Sequence, residues 1–258
     1  KYGFKMSNTK LNLIFFLILA TVIVLVSSSF KTINFAGRAD EGLYLNYSVK
    51  VAEHGIKGFH DLFKDYFSDP NHRITQNPLR VGFVFIAALW IKLSGYSMYN
   101  LALLSLFAYC IFLCLVFYFA KRYLDRKLVL LFIILVAFSP INMAMARRAL
   151  IDSVSNLFIF ASVLLFFESL KERISLKTLL FIFVYSCAIL IKESSALLSF
   201  FFLAYVFMIR NKNKNYFNLK GLFVAAILPF SIAGIVYVIL AGGISQFYSV
   251  MISVVTSP

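Results

Sequence analysis

About seven stretches of the chain run nearly free of charge at, or just under, the length of a bilayer crossing: Leu11–Phe30, Tyr99–Ala120, Leu128–Met145, Val154–Leu170, Leu176–Ile191, Ser195–Ile209 and Leu222–Leu240. A helix needs about 20 mostly apolar residues to cross, with about 17 as a lower limit, so only the fifth and sixth stretches are short. Inside hydrocarbon every backbone N–H and C=O must find its partner within the protein, which makes helices the structure for such runs. The expected fold is therefore an all-α, polytopic bundle of about seven transmembrane helices. Composition agrees: 61% of the 258 residues are hydrophobic and only 14% charged, whereas a soluble domain has about a quarter of its residues charged. That balance excludes a disordered chain, a collagen-like fibre and a disulfide scaffold. Cys110, Cys114 and Cys187 lie inside apolar runs and read as packing residues, not as a disulfide framework or metal site.

One further apolar run, Val81–Ile91, holds eleven residues between Arg80 and Lys92. It is too short to cross and reads as a helix lying at the membrane interface or dipping into it. Counting it as a crossing would swap the side of every later loop, and the bias of short cytoplasmic loops toward Lys and Arg decides against that. With the N-terminus inside, the short inner segments carry Lys1, Lys5 and Lys10, then Lys121–Lys127, Lys171–Lys177 and Arg210–Lys220. Together these hold fourteen of the 25 basic residues. The short outer loops hold only Arg147, Arg148 and Lys192. The net charge of +14 is thus mostly a topology signal and gives no argument for nucleic acid. Leu11–Phe30 exceeds the apolar core of a signal peptide, about 7–15 residues, and reads as an uncleaved anchor.

Most of the polar chemistry falls on the outer side. The long loop at 31–98 opens with Phe35-Ala36-Gly37-Arg38-Ala39-Asp40-Glu41-Gly42. Leu43, Tyr44, Tyr47 and Val51 then recur at helical spacing, which predicts an amphipathic helix with the acidic pair at its N-terminus. Phe59–Phe67 suggests a second such helix, followed by a turn at Ser68-Asp69-Pro70-Asn71 and by Asn77-Pro78-Leu79-Arg80 at the entry to the short apolar run. His54, His60 and His72 match no common zinc spacing. Later outer loops carry Arg147-Arg148-Ala149-Leu150-Ile151-Asp152 and Lys192-Glu193. Each cluster has a plain structural reading: a helix cap for Asp40, snorkelled charges for the arginine loop, a self-neutralised turn for Lys192-Glu193. Their collection on one face instead places a base, cations suited to phosphate and a second acid together, as chemistry on a lipid-linked anion requires.

This ordered set of Asp40-Glu41, Asn77-Pro78-Leu79, Arg147-Arg148-Ala149 with Asp152, and Lys192 resembles the polytopic GT-C glycosyltransferases that use polyprenyl-phosphate sugars. The nearest group is that of the protein O-mannosyltransferases and lipid A aminoarabinose transferases (family 39-like). The resemblance implies transfer of a sugar from a polyprenyl-phosphate donor to a protein, lipid or glycan acceptor hydroxyl at the outer membrane face, with inversion. It implies catalysis by Asp40 or Glu41. Arg147, Arg148, Lys192 and Arg80 would be at the donor phosphate, and Asp152 and Glu193 at the sugar or a cation. No cofactor is implied, and a divalent metal is not favoured. The expected location is the bacterial plasma membrane, as a multi-pass protein with a cytoplasmic N-terminus. Two departures stand out. Asn77-Pro78 replaces the family's Pro-Pro or Lys-Pro, leaving Arg80 as a substitute phosphate contact. Members also continue past seven spans, so residues 1–258 read as a single transmembrane module, fragmentary or minimal at its C-terminus. A transporter or flippase subunit is the alternative from another class, since such proteins place ionisable groups or broken helices near the midplane. A non-catalytic membrane partner is the third reading.

Overall fold

The computed structural model describes residues 7–30, 39–68, 78–170, 176–210 and 219–256. Among these residues lie twelve α-helices and no strand. Phe35–Arg38, Asp69–Asn71 of the expected turn, His72 and Asn77 lie outside the described residues. The helices are α1 (Asn8–Ser29), α2 (Ala39–His54), α3 (Ile56–Ser68), α4 (Val81–Ser94), α5 (Met98–Tyr123) and α6 (Arg126–Ala137). They continue with α7 (Pro140–Ala146), α8 (Asp152–Ser169), α9 (Leu176–Ile191), α10 (Leu198–Arg210), α11 (Leu219–Ala241) and α12 (Ile244–Thr256). Among the described residues α1, α5 and α8 are each long and apolar enough to cross a membrane. The bent pairs α6–α7 and α11–α12 raise the total to five if each is one span. The expected seven is therefore not reached by length, because α9 and α10 are shorter helices.

The spacing of apolar residues explains how these helices pack. On α1 the buried residues are Leu11, Phe15, Ile18, Val22 and Val26, three or four apart, and they make one face against α5 and α6. Phe15 stacks on Phe117 of α5 with ring centroids 4.1 Å apart. Leu13, Phe16 and Val24, away from that face, are exposed, as a lipid-facing surface must be. α2 and α3 form where two helices are expected between the first two long apolar runs, and α3 turns Phe59, Leu62, Phe63 and Tyr66 inward as a buried face.

Two local features set up the site. First, α4 packs between α2 and α9 with Val81, Phe83, Val84, Ala87, Ala88 and Ile91 buried. Gly82 makes this possible: a Cβ there would lie 2.8 Å from the Ile191 nitrogen and the Leu190 carbonyl carbon. The start of α4 thus meets the end of α9, bringing Arg80 to the side of the bundle where Lys192 begins the next turn. Second, the apolar run expected as one span at Leu128–Met145 is broken by 53° between α6 and α7. Pro140 has no N–H to offer the Val136 carbonyl four residues earlier, and the helix cannot continue through it. The buried Tyr109 hydroxyl donates to the Val136 and Ala137 carbonyls at 3.0 and 2.9 Å, and Asn142 Nδ2 donates to Val136 at 3.2 Å. These donors close the break and let α7 carry Arg147 and Arg148 in a new direction.

Candidate active site

Four segments far apart in sequence converge at one end of the bundle. They are the first turns of α2, the entry to α4, the α7–α8 connection and the residues after α9. Glu41, fully buried, accepts from Arg148 Nε at 2.9 Å. Lys192 Nζ donates to Asp152 Oδ1 at 3.0 Å. The Arg80 guanidinium donates to the Tyr44 hydroxyl, lies 5.8 Å from the centre of that ring, and approaches Glu193 Oε2 at 3.9 Å. Every one of these pairs joins two different segments.

Local sequence explains each placement. Asp40 and Glu41 lie in the first turn of α2, where the positive end of the helix favours acids. Asp152 does the same for α8. Tyr44 follows Asp40 by one helical turn and is buried edge-on against Phe83 of α4, with ring centroids 5.0 Å apart. Burial pushes the Tyr44 hydroxyl up to about 12, the charges of Asp40 and Glu193 push the same way, and Arg80 opposes them. Arg80 in turn feels the charge of Asp152. Asp40, Tyr44, Arg80, Asp152 and Glu193 therefore share one electrostatic field.

The two members of the acidic pair differ. Glu41 is enclosed with its arginine, whereas Asp40 is exposed and its carboxylate is open to an incoming group. The two neighbouring arginines also differ: Arg148 turns inward to Glu41 and Arg147 is exposed. All eight residues expected at the site lie at this end, and all but Arg147 are joined by the contacts and charge interactions above. Tyr44, which its spacing assigns to the apolar face of α2, takes a polar role that sequence reasoning does not give it. Its place one turn beyond Asp40 is the available signal. Ser48, one turn further, is also buried, as are Ser153 and Ser195 beside the other two acids; their hydroxyls have no hydrogen-bond partner among the described residues. Other buried serines differ: Ser162 and Ser186 bond back to Phe158 and Ile182 at 2.7 Å, Ser105 donates to the Leu150 carbonyl, and Ser155 is also without a hydrogen-bond partner among the described residues.

Next to this cluster is an apolar cavity of about 690 Å³, within the roughly 300–1,000 Å³ of sites that enclose small-molecule ligands. It begins at Val81, Gly82 and Ile191, the neighbours of Arg80 and Lys192, and continues along α9 to Phe183 and along α4 to Lys92, which with Glu53 is the charged part of an otherwise apolar lining.

The family model of the dolichyl-phosphate-mannose-protein mannosyltransferases matches residues 78–240, well over half of the chain. The chain belongs to this family. No curated protein and no solved structure matches it. Membership in the mannosyltransferase family supports a membrane glycosyltransferase that draws on a lipid-phosphate-linked sugar, and the apolar helices make it an integral membrane protein. The matched region includes Arg80, Arg147, Arg148, Asp152, Lys192 and Glu193 but begins after Asp40 and Glu41. What ties the acidic pair to the mannosyltransferase region is the contact of Glu41 with Arg148.

Proposed function

We propose that the protein transfers a sugar from a polyprenyl phosphate to an acceptor hydroxyl at the outer face of the membrane, with inversion at the anomeric carbon. The observation that carries this reading is that the exposed Asp40 shares one electrostatic field with Tyr44, Arg80 and Asp152, while Arg80 precedes and Lys192 follows by one residue the lining of an apolar cavity. In this mechanism Asp40 accepts the proton of the acceptor hydroxyl as its oxygen bonds to the anomeric carbon. The bond from that carbon to the phosphate oxygen breaks, and the electron pair leaves with the lipid phosphate. Lys192, Arg80 and Arg148 surround the departing charge, the arginines offering two-pronged contacts. Glu41 holds Arg148 in place. Asp152 and Glu193 hold Lys192 and Arg80 and, with the unpartnered Ser153 and Ser195 hydroxyls, offer hydrogen bonds to a sugar. The isoprenoid chain occupies the cavity along α4 and α9.

The transporter alternative draws on the α6–α7 break. Its freed carbonyls are closed by Tyr109 and Asn142, so it offers no open backbone site of the kind transporters present. The test of the enzyme reading is Asp40→Asn, assayed with polyprenyl-phosphate sugar and a hydroxyl acceptor. Asparagine keeps the size, and at the second position of α2 the lost charge costs the helix only about 0.3–1 kcal/mol, so folding persists while transfer falls by roughly 10²- to 10⁴-fold. Full transfer by both Asp40→Asn and Glu41→Gln would refute the mechanism.

A further inference from the structure

A second concave feature lies away from the acid–base cluster and plays no part in the reaction above. Two rows of side chains on the last turns of α5 flank it: Cys114, Tyr118 and Arg122, and beside them Phe117 and Lys121. Residues four apart lie one above the other on a helix face, so each row is apolar or aromatic along the helix and ends in a cation. The space between them is an open groove of about 470 Å³. Lys121 Nζ donates to the neutral Asn12 side chain of α1 at 3.0 Å and sits 5.4 Å from the Phe117 ring centre. Arg122 donates to the Tyr118 hydroxyl at 2.7 Å and faces Glu168 at 3.1 Å. Glu168 also faces Lys177 at 3.9 Å. Among the described residues the ion pairs at this end thus set Glu168 against Arg122 and Lys177, while Lys121 leans on an amide and an aromatic ring.

We propose that this groove binds one anionic phospholipid, its phosphate at Lys121 and Arg122 and an acyl chain along Phe117 and Cys114. Charge complementarity selects the occupant. A zwitterionic lipid brings no net charge to the cations, and a free phosphate leaves the apolar rows uncovered. Tyr118, half exposed beside the cations, is the residue type that sits at headgroup depth, and Lys and Arg at the end of a membrane helix attract acidic headgroups.

The test is native mass spectrometry of the full chain in detergent with added phosphatidylglycerol or phosphatidylcholine. The readout needs no sugar transfer and so stands or falls separately from the enzyme reading. One phosphatidylglycerol is expected to remain bound, with about tenfold preference over phosphatidylcholine, since a single charge-assisted hydrogen bond to the headgroup is worth that factor or more. Lys121→Gln/Arg122→Gln should lose the preference, whereas Lys127→Gln, a cation outside the groove, should keep it. If the double variant folds poorly, Lys121→Glu alone should abolish retention while Arg122→Lys preserves it. Equal retention of both lipids, equal loss with Lys127→Gln, displacement by inorganic phosphate, or tighter retention of polyprenyl phosphate at these residues would each overturn the proposal.

Discussion

The two ends of the bundle carry ionic clusters of similar composition and opposite character. They are held apart by α8, whose Asp152 and Glu168 lie about 24 Å from one another along the helix. At one end Glu41 is completely enclosed, and the acid–base pairs bridge segments remote in sequence. At the other end Glu168, Arg122 and Lys177 retain 16%, 39% and 40% exposure, and Arg122 leans on Tyr118 within its own helix. Exposed pairs gain little and are found wherever helices end in water. An enclosed carboxylate has to overcome a desolvation cost that only a well-placed partner offsets. The comparison teaches that one enclosed carboxylate, Glu41, and not the abundance of charge separates the two ends, since Asp152, Lys192 and Glu193 keep 32%, 34% and 40% exposure.

The comparison breaks most sharply at Arg148. Arg148→Gln leaves the Glu41 carboxylate enclosed without its guanidinium, a change that costs about 3–5 kcal/mol where a buried pair loses one member. Glu41→Gln should destabilise less, because Arg148 is partly exposed and can reach solvent. Thermal unfolding in detergent should rank the two variants in that order, and the double variant should recover part of the loss of Arg148→Gln. Equal and small effects would mean that the enclosed pair behaves like a surface one. Lys192→Gln comes next. By removing a cation from the donor phosphate it should weaken binding of polyprenyl-phosphate sugar by about 1.5–3 kcal/mol, roughly tenfold or more. Arg147→Gln serves as the internal control, its side chain being exposed, and should bind donor as the parent does.

Much of this contrast is legible in the sequence, because membrane burial writes its signature in long uncharged runs. The runs at Leu11, Tyr99 and Val154 form α1, α5 and α8, and the acidic pair falls at a helix start as its position implies. The count of seven spans is less legible. Leu176–Ile191 and Ser195–Ile209 are apolar but short, and hydropathy alone cannot say how a short helix sits. The α6–α7 break is signalled by Pro140 yet hidden inside an uninterrupted apolar run. What hydropathy cannot supply are pairings across distance: Glu41 with Arg148, Asp152 with Lys192, Arg80 with Tyr44. Those depend on Gly82 letting α4 meet α9 and on Pro140 redirecting α7, both packing consequences of single residues. Tyr109→Phe tests the second of these. It deletes a donor to the Val136 and Ala137 carbonyls at the break before Pro140 and should destabilise the fold by about 1 kcal/mol, near the mean worth of such a bond. Because α7 carries Arg148, faster amide exchange across Pro140–Arg148 should accompany that loss.

The smallest effect is expected at the opposite end, and it is the one that completes the comparison. Lys177 lies 3.9 Å from Glu168, which also has Arg122 at 3.1 Å and the Tyr123 hydroxyl at 3.1 Å. Lys177→Gln removes one of several partners from a carboxylate that water still reaches, so nothing is stranded. The expected change in thermal stability is below about 1 kcal/mol, and added salt should shrink it further by screening the exposed charges. The Glu41–Arg148 pair, enclosed on one side, should respond much less to the same salt. A Lys177→Gln penalty as large as that of Arg148→Gln, or one insensitive to salt, would show that the two ends are energetically alike and that burial does not mark the active one.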